Sequence, residues 1–503
     1  MNSQVTVNRR KTLLGATTLA AAYALGSQTP GLAPSPANAK TAPTESPRGF
    51  PKGFPTKETT ERLYDEADLN RAIQTYKFFY PNISMAGFAG GLEKVGAVNN
   101  KAFFVISAAP RQLFFTANAD TPYSLIPLDL REGPITIELP PGPFLGVTDD
   151  WNFRWVMDMG IPGPDAGKGG RHIILPPDWK GEVPRGYYSG QSSTYRVFVL
   201  IRAVPVGADT NAAIERLRTV KVRPLNPPIG WSEPTWTDVS DKSFDATPIT
   251  WDKTLKFWEA LHQIIDTEPT YPPYRTSYGE LAELGIVKGK PFTPNDRMKR
   301  ILVRAAQMAN DQMRVASLAG RRPEQVVWPD RKSWEWVTLV PENGTFDAPT
   351  YADNDARGVW FWQATFESPF MFNRQVGPGS VYWFAARDKT GAFVDGGKLY
   401  KLTIPQPVPA SLFWSVTVYD PDTRSMIQTD QGKAALRSLV ELKDAATTGA
   451  TDLYFGPHAP AGKEGRWIKT IPGKGWFVYL RLYGKEAPAF DGSWKPSDIE
   501  RIA

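Results

Sequence analysis

Two short stretches gather the groups that could do acid–base work. In Asn118-Ala119-Asp120-Thr121-Pro122-Tyr123-Ser124 an amide, a carboxylate, a phenol and two hydroxyls share one tight loop between strand-like runs. Polar loops at sheet ends are natural ligand sites, because a rigid scaffold holds them. In Asp149-Asp150-Trp151-Asn152-Phe153-Arg154, with Asp158 four residues on, acids, aromatics and a guanidinium adjoin. Asp120 and Asp150 make a carboxylate pair for general acid–base catalysis, provided the fold brings them within reach. Asn118 and Tyr123 would then position the substrate, Trp151 would stack on it and Arg154 would clamp its charge. A third stretch, Asp420-Pro421-Asp422-Thr423-Arg424, ends in a guanidinium suited to gripping a carboxylate or phosphate bidentately. Each has a plainer alternative. Asp120 could close an Asx-turn, Asp150 could pair with Arg154 along a strand, and Arg424 could pair with Asp420 across a hairpin.

Carboxylates come first by elimination. The chain has no Cys, which removes disulfides, thiolate metal sites, iron–sulfur clusters and a Cys nucleophile together. Its three histidines, His172, His262 and His458, are too few and too scattered for a polyhistidine metal centre. There is no Gly-x-Ser-x-Gly elbow for a serine nucleophile. Gly163 to Gly169 imitates a P-loop with the wrong glycine spacing and no hydroxyl after Lys168, and Asp353-Asn354-Asp355 lacks the remaining spacing of a calcium loop. The expectation is an activity with no metal and no cofactor.

The chain's 503 residues exceed one ordinary core, and 41% hydrophobic residues can fill more than one. The formal charge is +6, but Arg9, Arg10 and Lys11 are the only charged residues before Lys40, so the rest carries +3. No basic run follows, which makes nucleic acid a poor partner. Those three cations precede a short Ala/Gly/Thr-rich apolar stretch and the small–x–small site Ala37-Asn38-Ala39. This is the pattern of a cleaved export signal of the twin-arginine type, too short in its apolar part to anchor. Periplasmic or secreted protein with no stable membrane span is expected, with residues 1–39 as signal and 40–58 as tether.

The elements that must position the candidates follow from periodicity. A helix is expected from Thr60 to Tyr80, stopped by Pro81. Short punctuated strands then occupy 102–145, 172–175 and 195–201 and predict an antiparallel sandwich or jelly roll. Residues 209–345 turn helical, clearest at Thr293–Leu318, with Thr293 as cap and Met298, Ile301, Leu302, Ala305 and Met308 as one apolar face. Strands return at 382–385, 400–404, 413–419 and 476–483. The fold class predicted is mainly β with helical insertions (α+β): two jelly-roll or β-sandwich-like domains, 59–208 and 346–503, joined by a helical segment, 209–345.

Long strings in both β regions carry a resemblance. Leu412-Phe413-Trp414-Ser415-Val416-Thr417-Val418-Tyr419-Asp420, Tyr454-Phe455-Gly456-Pro457 and Pro472-Gly473-Lys474-Gly475-Trp476-Phe477 resemble one domain of a bacterial exported family. Asn118 to Ser124, Leu128-Asp129-Leu130 and Gly169 to Pro177 resemble its N-terminal partner. In that family two domains of unknown function, the numbered types twelve fifty-four and twelve fourteen, occur in tandem. The resemblance implies two β-rich domains with helical insertions, secretion or a periplasmic location, and frequent homo-oligomers, with no settled activity. Two functions stay open: a carboxylate-based, hydrolase-like enzyme for a small, sugar-like or aromatic substrate, and a non-catalytic ligand-binding or envelope-assembly protein. In either, Trp, Tyr and Arg hold a small-molecule or carbohydrate-like ligand.

The leader generates one prediction. Exported protein should begin at Lys40, as read by N-terminal sequencing, and Arg9→Lys with Arg10→Lys should stop export. Membrane-bound protein with an intact Met1 end would contradict the cleavage, and unimpaired export of the double variant would contradict the twin-arginine route.

Overall fold

Alternation with a period of two sends successive strand side chains to opposite faces, and here it builds two sandwiches. The chain is described by a computed structural model over residues 48–207, 209–337, 346–445 and 447–502; the leader and its cleavage site lie outside these residues. Residues up to Thr60 form one unit, a 3-10 turn at Pro51–Gly53 and the start of the helix Lys57–Glu93, and residues from Glu61 onward form another.

In the N-terminal β region a six-stranded sheet runs Thr235–Asp238, Ala102–Ile106, Tyr123–Asp129, Arg196–Ala203, Phe144–Asp150, Trp155–Gly160. One face, with Phe103, Val105, Ile126, Met157, Val199 and Ile201, packs on a four-stranded sheet and closes a sandwich core. The other face, with Phe104, Leu125, Leu145, Val147 and Leu200, belongs to a larger core that continues into the rest of the chain. Because both faces are covered, these strands read as near-continuous apolar runs. The C-terminal β region repeats the plan with a five-stranded sheet, Trp334–Trp336, Gly377–Ala385, Phe477–Lys485, Ala410–Tyr419, Ala435–Arg437, and a four-stranded one. The architecture is mainly β with inserted helices, as predicted.

Several details depart from expectation. The segment between the β regions is not wholly helical. It lends Thr235–Asp238 to the N-terminal sheet, in parallel with Ala102–Ile106, and Trp334–Trp336 to the C-terminal sheet. The first long helix does not stop at Pro81 but runs on to Glu93. Proline has no N–H for the Lys77 carbonyl; one residue on, the helix is held by Arg357, whose Nη1 donates to Phe78 O at 2.8 Å. The helix Asp296–Leu318 is capped by Asn295, which accepts from Met298 N, rather than by Thr293. Its buried stripe is Ile301, Leu302, Ala305, Ala309 and Met313, while Met308 faces outward. No helix among the described residues is long and apolar enough to cross a membrane.

The same long helix contains adjacent glycines with opposite environments. A Cβ at Gly91 would stand 2.3 Å from Asp245 O and 2.4 Å from Ala246 Cα, whereas one at Gly90 would meet nothing within 4 Å. Gly91→Ala should therefore destabilise by about 1–3 kcal/mol through overpacking, and Gly90→Ala should stabilise by roughly 0.5–1 kcal/mol. Urea unfolding of the two variants checks this; changes of the same sign would contradict the packing described.

Candidate ligand site

The buried polar groups lie where the two large sheets face each other. On the C-terminal sheet the strand Phe477–Lys485 points Phe477, Tyr479, Arg481 and Tyr483 to one face and Val478, Leu480 and Leu482 to the other. Register places Tyr382 and Ser415 on either side of Arg481. On the N-terminal sheet one row of neighbours holds Tyr123, Arg202 and Leu145, and the next holds Leu125, Leu200, Val147 and Asp158. Two strand arginines thus come to lie between two sheets, Arg202 about 9% and Arg481 about 3% exposed.

A loop from the N-terminal region bridges them. Five consecutive residues, Thr116 to Asp120, each bond to the C-terminal sheet. Thr116 O accepts from Arg481 Nη2 (2.7 Å), Ala117 O from the Tyr419 hydroxyl (2.6 Å) and Ala119 O from Arg437 Nη1 (2.6 Å). Asn118 Nδ2 donates to the Tyr483 hydroxyl (3.0 Å), and Asp120 Oδ2 accepts from Ser415 Oγ (2.8 Å). Thr116 sits at φ 38°, a conformation strained for a β-branched residue. It is held there by Arg481 at its carbonyl and by Arg424 O, which accepts from its N–H at 2.7 Å.

Between the sheets is a cavity with roughly 80 Å3 in which the centre of a water molecule can sit. Phe114, Phe366, Phe370, Leu145 and Leu200 make its walls apolar; Asn118, Tyr123, Asp158, Arg202, Tyr382 and Arg481 bring polar groups to it. Burial raises the Asp158 carboxyl to about 7, against the opposing bond from Ser368 Oγ (3.0 Å). Asp120, with Oδ1 buried and unbonded, is also raised by burial, which outweighs the pull of Arg481, Ser415, Arg437 and Arg202. Behind the wall, Asp149 Oδ2 accepts from Glu367 N (2.7 Å) and Glu367 Oε1 from Trp155 N (3.2 Å). Burial, with mutual repulsion in the case of Asp149, pushes both of these carboxyls well up.

The fold brings Asn118, Asp120 and Tyr123 together at this seam. The Asx-turn belongs to Asn118, whose Oδ1 accepts from Asp120 N (3.0 Å), while the Asp120 carboxyl reaches across to Ser415. Tyr123 receives the Asn118 N–H on its hydroxyl (3.1 Å), and burial raises its phenol to about 12. Asp150 lies five residues along the sheet from the Arg202 row, about 16 Å at ~3.3 Å per residue. Its Oδ1 accepts from Asn152 N and Arg154 N, and its Oδ2 from Ser193. The Arg154 guanidinium stacks over Tyr271 instead of pairing with Asp150, and Trp151 lies under the Arg196 guanidinium. Nor does Arg424 pair with Asp420: it is buried, donating to Trp362 O (2.6 Å) and the Tyr80 hydroxyl (3.1 Å), with Asp252 at 3.9 Å.

Asp158 stands beside the Asp149–Arg154 cluster in sequence, but Arg202 and Arg481 have nothing local to mark them. Their one signal is a cation in a strand whose alternate residues are all apolar or aromatic, as at Val199-Leu200-Ile201-Arg202 and Leu480-Arg481-Leu482.

The fold and cavity define an α+β protein of two β sandwiches with a small, mixed-polarity chamber between them. Residues 101–224 match the family model described as "Protein of unknown function (DUF1254)", and residues 379–487 match "Protein of unknown function (DUF1214)". The chain carries the two domains in tandem, the arrangement its motifs resemble. A crystal structure of a Vibrio parahaemolyticus protein is similar in fold, with TM-score 0.54 and 17% identity over 87% of this chain and 100% of that one. A Burkholderia cenocepacia protein aligns with TM-score 0.40 and 12% identity over 88% and 96% of the two chains. No curated protein matches the sequence.

Asp158 generates a pH prediction. Its carboxyl titrates near ~3.9 when unfolded and at about 7 in the fold. Stability from a raised carboxyl pKa is fully present below the unfolded value and is lost as pH rises through the folded one. Asp158→Asn keeps an acceptor for Ser368 and removes this loss. Relative to wild type it should gain on the order of 2–4 kcal/mol between pH 4 and pH 8, at ~1.4 kcal/mol per unit. Urea unfolding at the two pH values measures it, and parallel curves would place the titrating group elsewhere.

Proposed function

We propose that the chain is an exported protein that encloses a small molecule in the seam cavity and acts on it through buried carboxyls, Asp158 in the cavity wall first and Asp120 on the bridging loop second. The observation that carries this reading is a carboxyl with a pKa of about 7 in the wall of a cavity where amide, phenol and guanidinium groups converge. Such perturbed groups in enclosed pockets are where acid–base chemistry is found. A carboxyl half-protonated near neutrality can give its proton to a leaving group and regain one from water, so hydrolysis remains the reaction class favoured. Asn118 and Tyr123 retain the positioning role. Asp150, Trp151, Arg154 and Arg424 lie outside the cavity and support the fold around it. The cavity's modest size favours a small molecule over an extended sugar chain.

A non-catalytic binding protein is the second reading, favoured by the bond of Asp120 to Ser415, which gives this acid a structural partner. One experiment separates the readings. A thermal-shift screen of small organic compounds should yield binders of the wild-type protein, and Val147→Phe, which fills the cavity, should abolish their effect. Absence of any binder, or binders indifferent to the filling, would overturn the site. Turnover of a binder by wild type but not by Asp158→Asn identifies an enzyme; binding with no turnover identifies a binding protein.

A further inference from the structure

We infer that the molecule held in the seam cavity is an organic monocarboxylate, gripped by Arg202 from one sheet and Arg481 from the other; this rests on the cavity reading above. The two guanidiniums line a cavity, which the buried Arg357 and Arg424 do not, although Arg424 Nε is also without a hydrogen bond. Arg424 has Asp252 at 3.9 Å and a carbonyl at 2.6 Å, and Arg357 donates to two backbone carbonyls, Phe78 O and Asn152 O. Neither Arg202 nor Arg481 forms an ion pair with a carboxylate among the described residues. Arg481 gives Nη2 to Thr116 O, but its Nη1 is buried without a hydrogen bond. The Tyr419 hydroxyl, near enough to sense that charge, donates its own proton to Ala117 O. Arg202 bonds through Nη1 to the Tyr483 hydroxyl at 3.2 Å, and both arginines line the cavity.

Charge and shape narrow the ligand. Guanidinium stays protonated in any protein, so the chamber holds two fixed positive charges. Asp120 is the acid that feels both, and Asp158 is neutral in half or more of the molecules at and below pH 7. Neither guanidinium has an ion-paired carboxylate among the described residues, and a buried charge without one is a costly arrangement until an anion enters. A single negative charge answers it; a phosphate dianion would overshoot. The planar fork of Arg matches two carboxylate oxygens, and the Phe114, Phe366, Leu145 and Leu200 side chains offer the rest of the ligand an apolar wall. The class indicated is a compact aliphatic or aromatic monocarboxylic acid.

The test uses isosteric pairs on the full mature chain: butyrate against butyramide and benzoate against benzamide, with inorganic phosphate as a further anion, followed by calorimetry and thermal shift. At least one acid should bind roughly tenfold or more tighter than its amide, the margin a charge-assisted bond provides, and phosphate should not compete. Arg481→Met and Arg202→Met should each cut the acid's affinity more than the amide's and so shrink the acid's advantage; the wild-type comparison stands even if one variant does not fold. Amides binding as tightly as acids, with Val147→Phe blocking both, would sink the carboxylate assignment and leave the cavity reading intact. Tight competition by phosphate would equally overturn the monocarboxylate. If nothing binds, or Val147→Phe blocks nothing, the cavity reading fails and takes this inference with it.

Discussion

Two guanidinium groups lie between facing β-sheets, and much of the surrounding structure is arranged by the need to give them oxygen. A charge taken out of water costs several kcal/mol unless close dipoles replace the solvent. Here the replacement comes from the Thr116 carbonyl, the Tyr483 hydroxyl and the flanking rings of Tyr382, Tyr419 and Tyr479. The loop Thr116–Asp120 takes a path that local preference would not choose. A positive φ at a β-branched residue costs roughly 1–3 kcal/mol, and it turns the Thr116 carbonyl onto Arg481. The strain is the geometric condition for holding that cation.

A second buried network answers the same problem with an acid. Tyr80 and Asn310 both donate to Asp252 Oδ2, Tyr76 donates to Asp252 O, and Arg424 stands close by. These residues come from the long first helix, the middle segment and the C-terminal region, so the network ties three parts of the chain through one carboxylate. Its charges are mutual. The seam differs in that neither of its two guanidiniums has a carboxylate within ion-pair reach among the described residues, whereas Arg424 has Asp252, and that contrast distinguishes a site from a fastening.

The outline of the fold was legible because strand alternation survives in single sequences. The runs around Val199, Val416 and Leu480 announce strands without help. What misled was context. Pro81 ends a helix in isolation, but here the helix is held on both sides of it by packing, with Arg357 from another helix bonded to Phe78 O. Thr293 is a good cap, but Asn295 is nearer the first buried turn. Of the candidate site, the Asn118–Tyr123 loop could be picked out because its polar types are clustered. Asp158 could be noticed beside the Asp149–Arg154 cluster, but Arg202 and Arg481 could not, since each is a lone polar residue in an apolar strand and its partner is a residue far off in sequence. Asn118 and Tyr483 meet across 365 positions, and no local pattern records such a pairing.

That separation has a consequence for the order of assembly. Chains emerge from the ribosome N-terminal end first, and domains tend to fold as they appear. The strand with Arg202 and the loop with Asn118 are complete long before Phe477–Lys485 is made, yet their hydrogen-bond partners lie on that late central strand. Until it arrives, the part of the N-terminal sheet's face that it covers, with Arg202 and Asp158 among apolar side chains, lacks its cover. The half-made protein therefore carries an adhesive surface until the C-terminal sheet is complete, and that last sheet converts it into an interior.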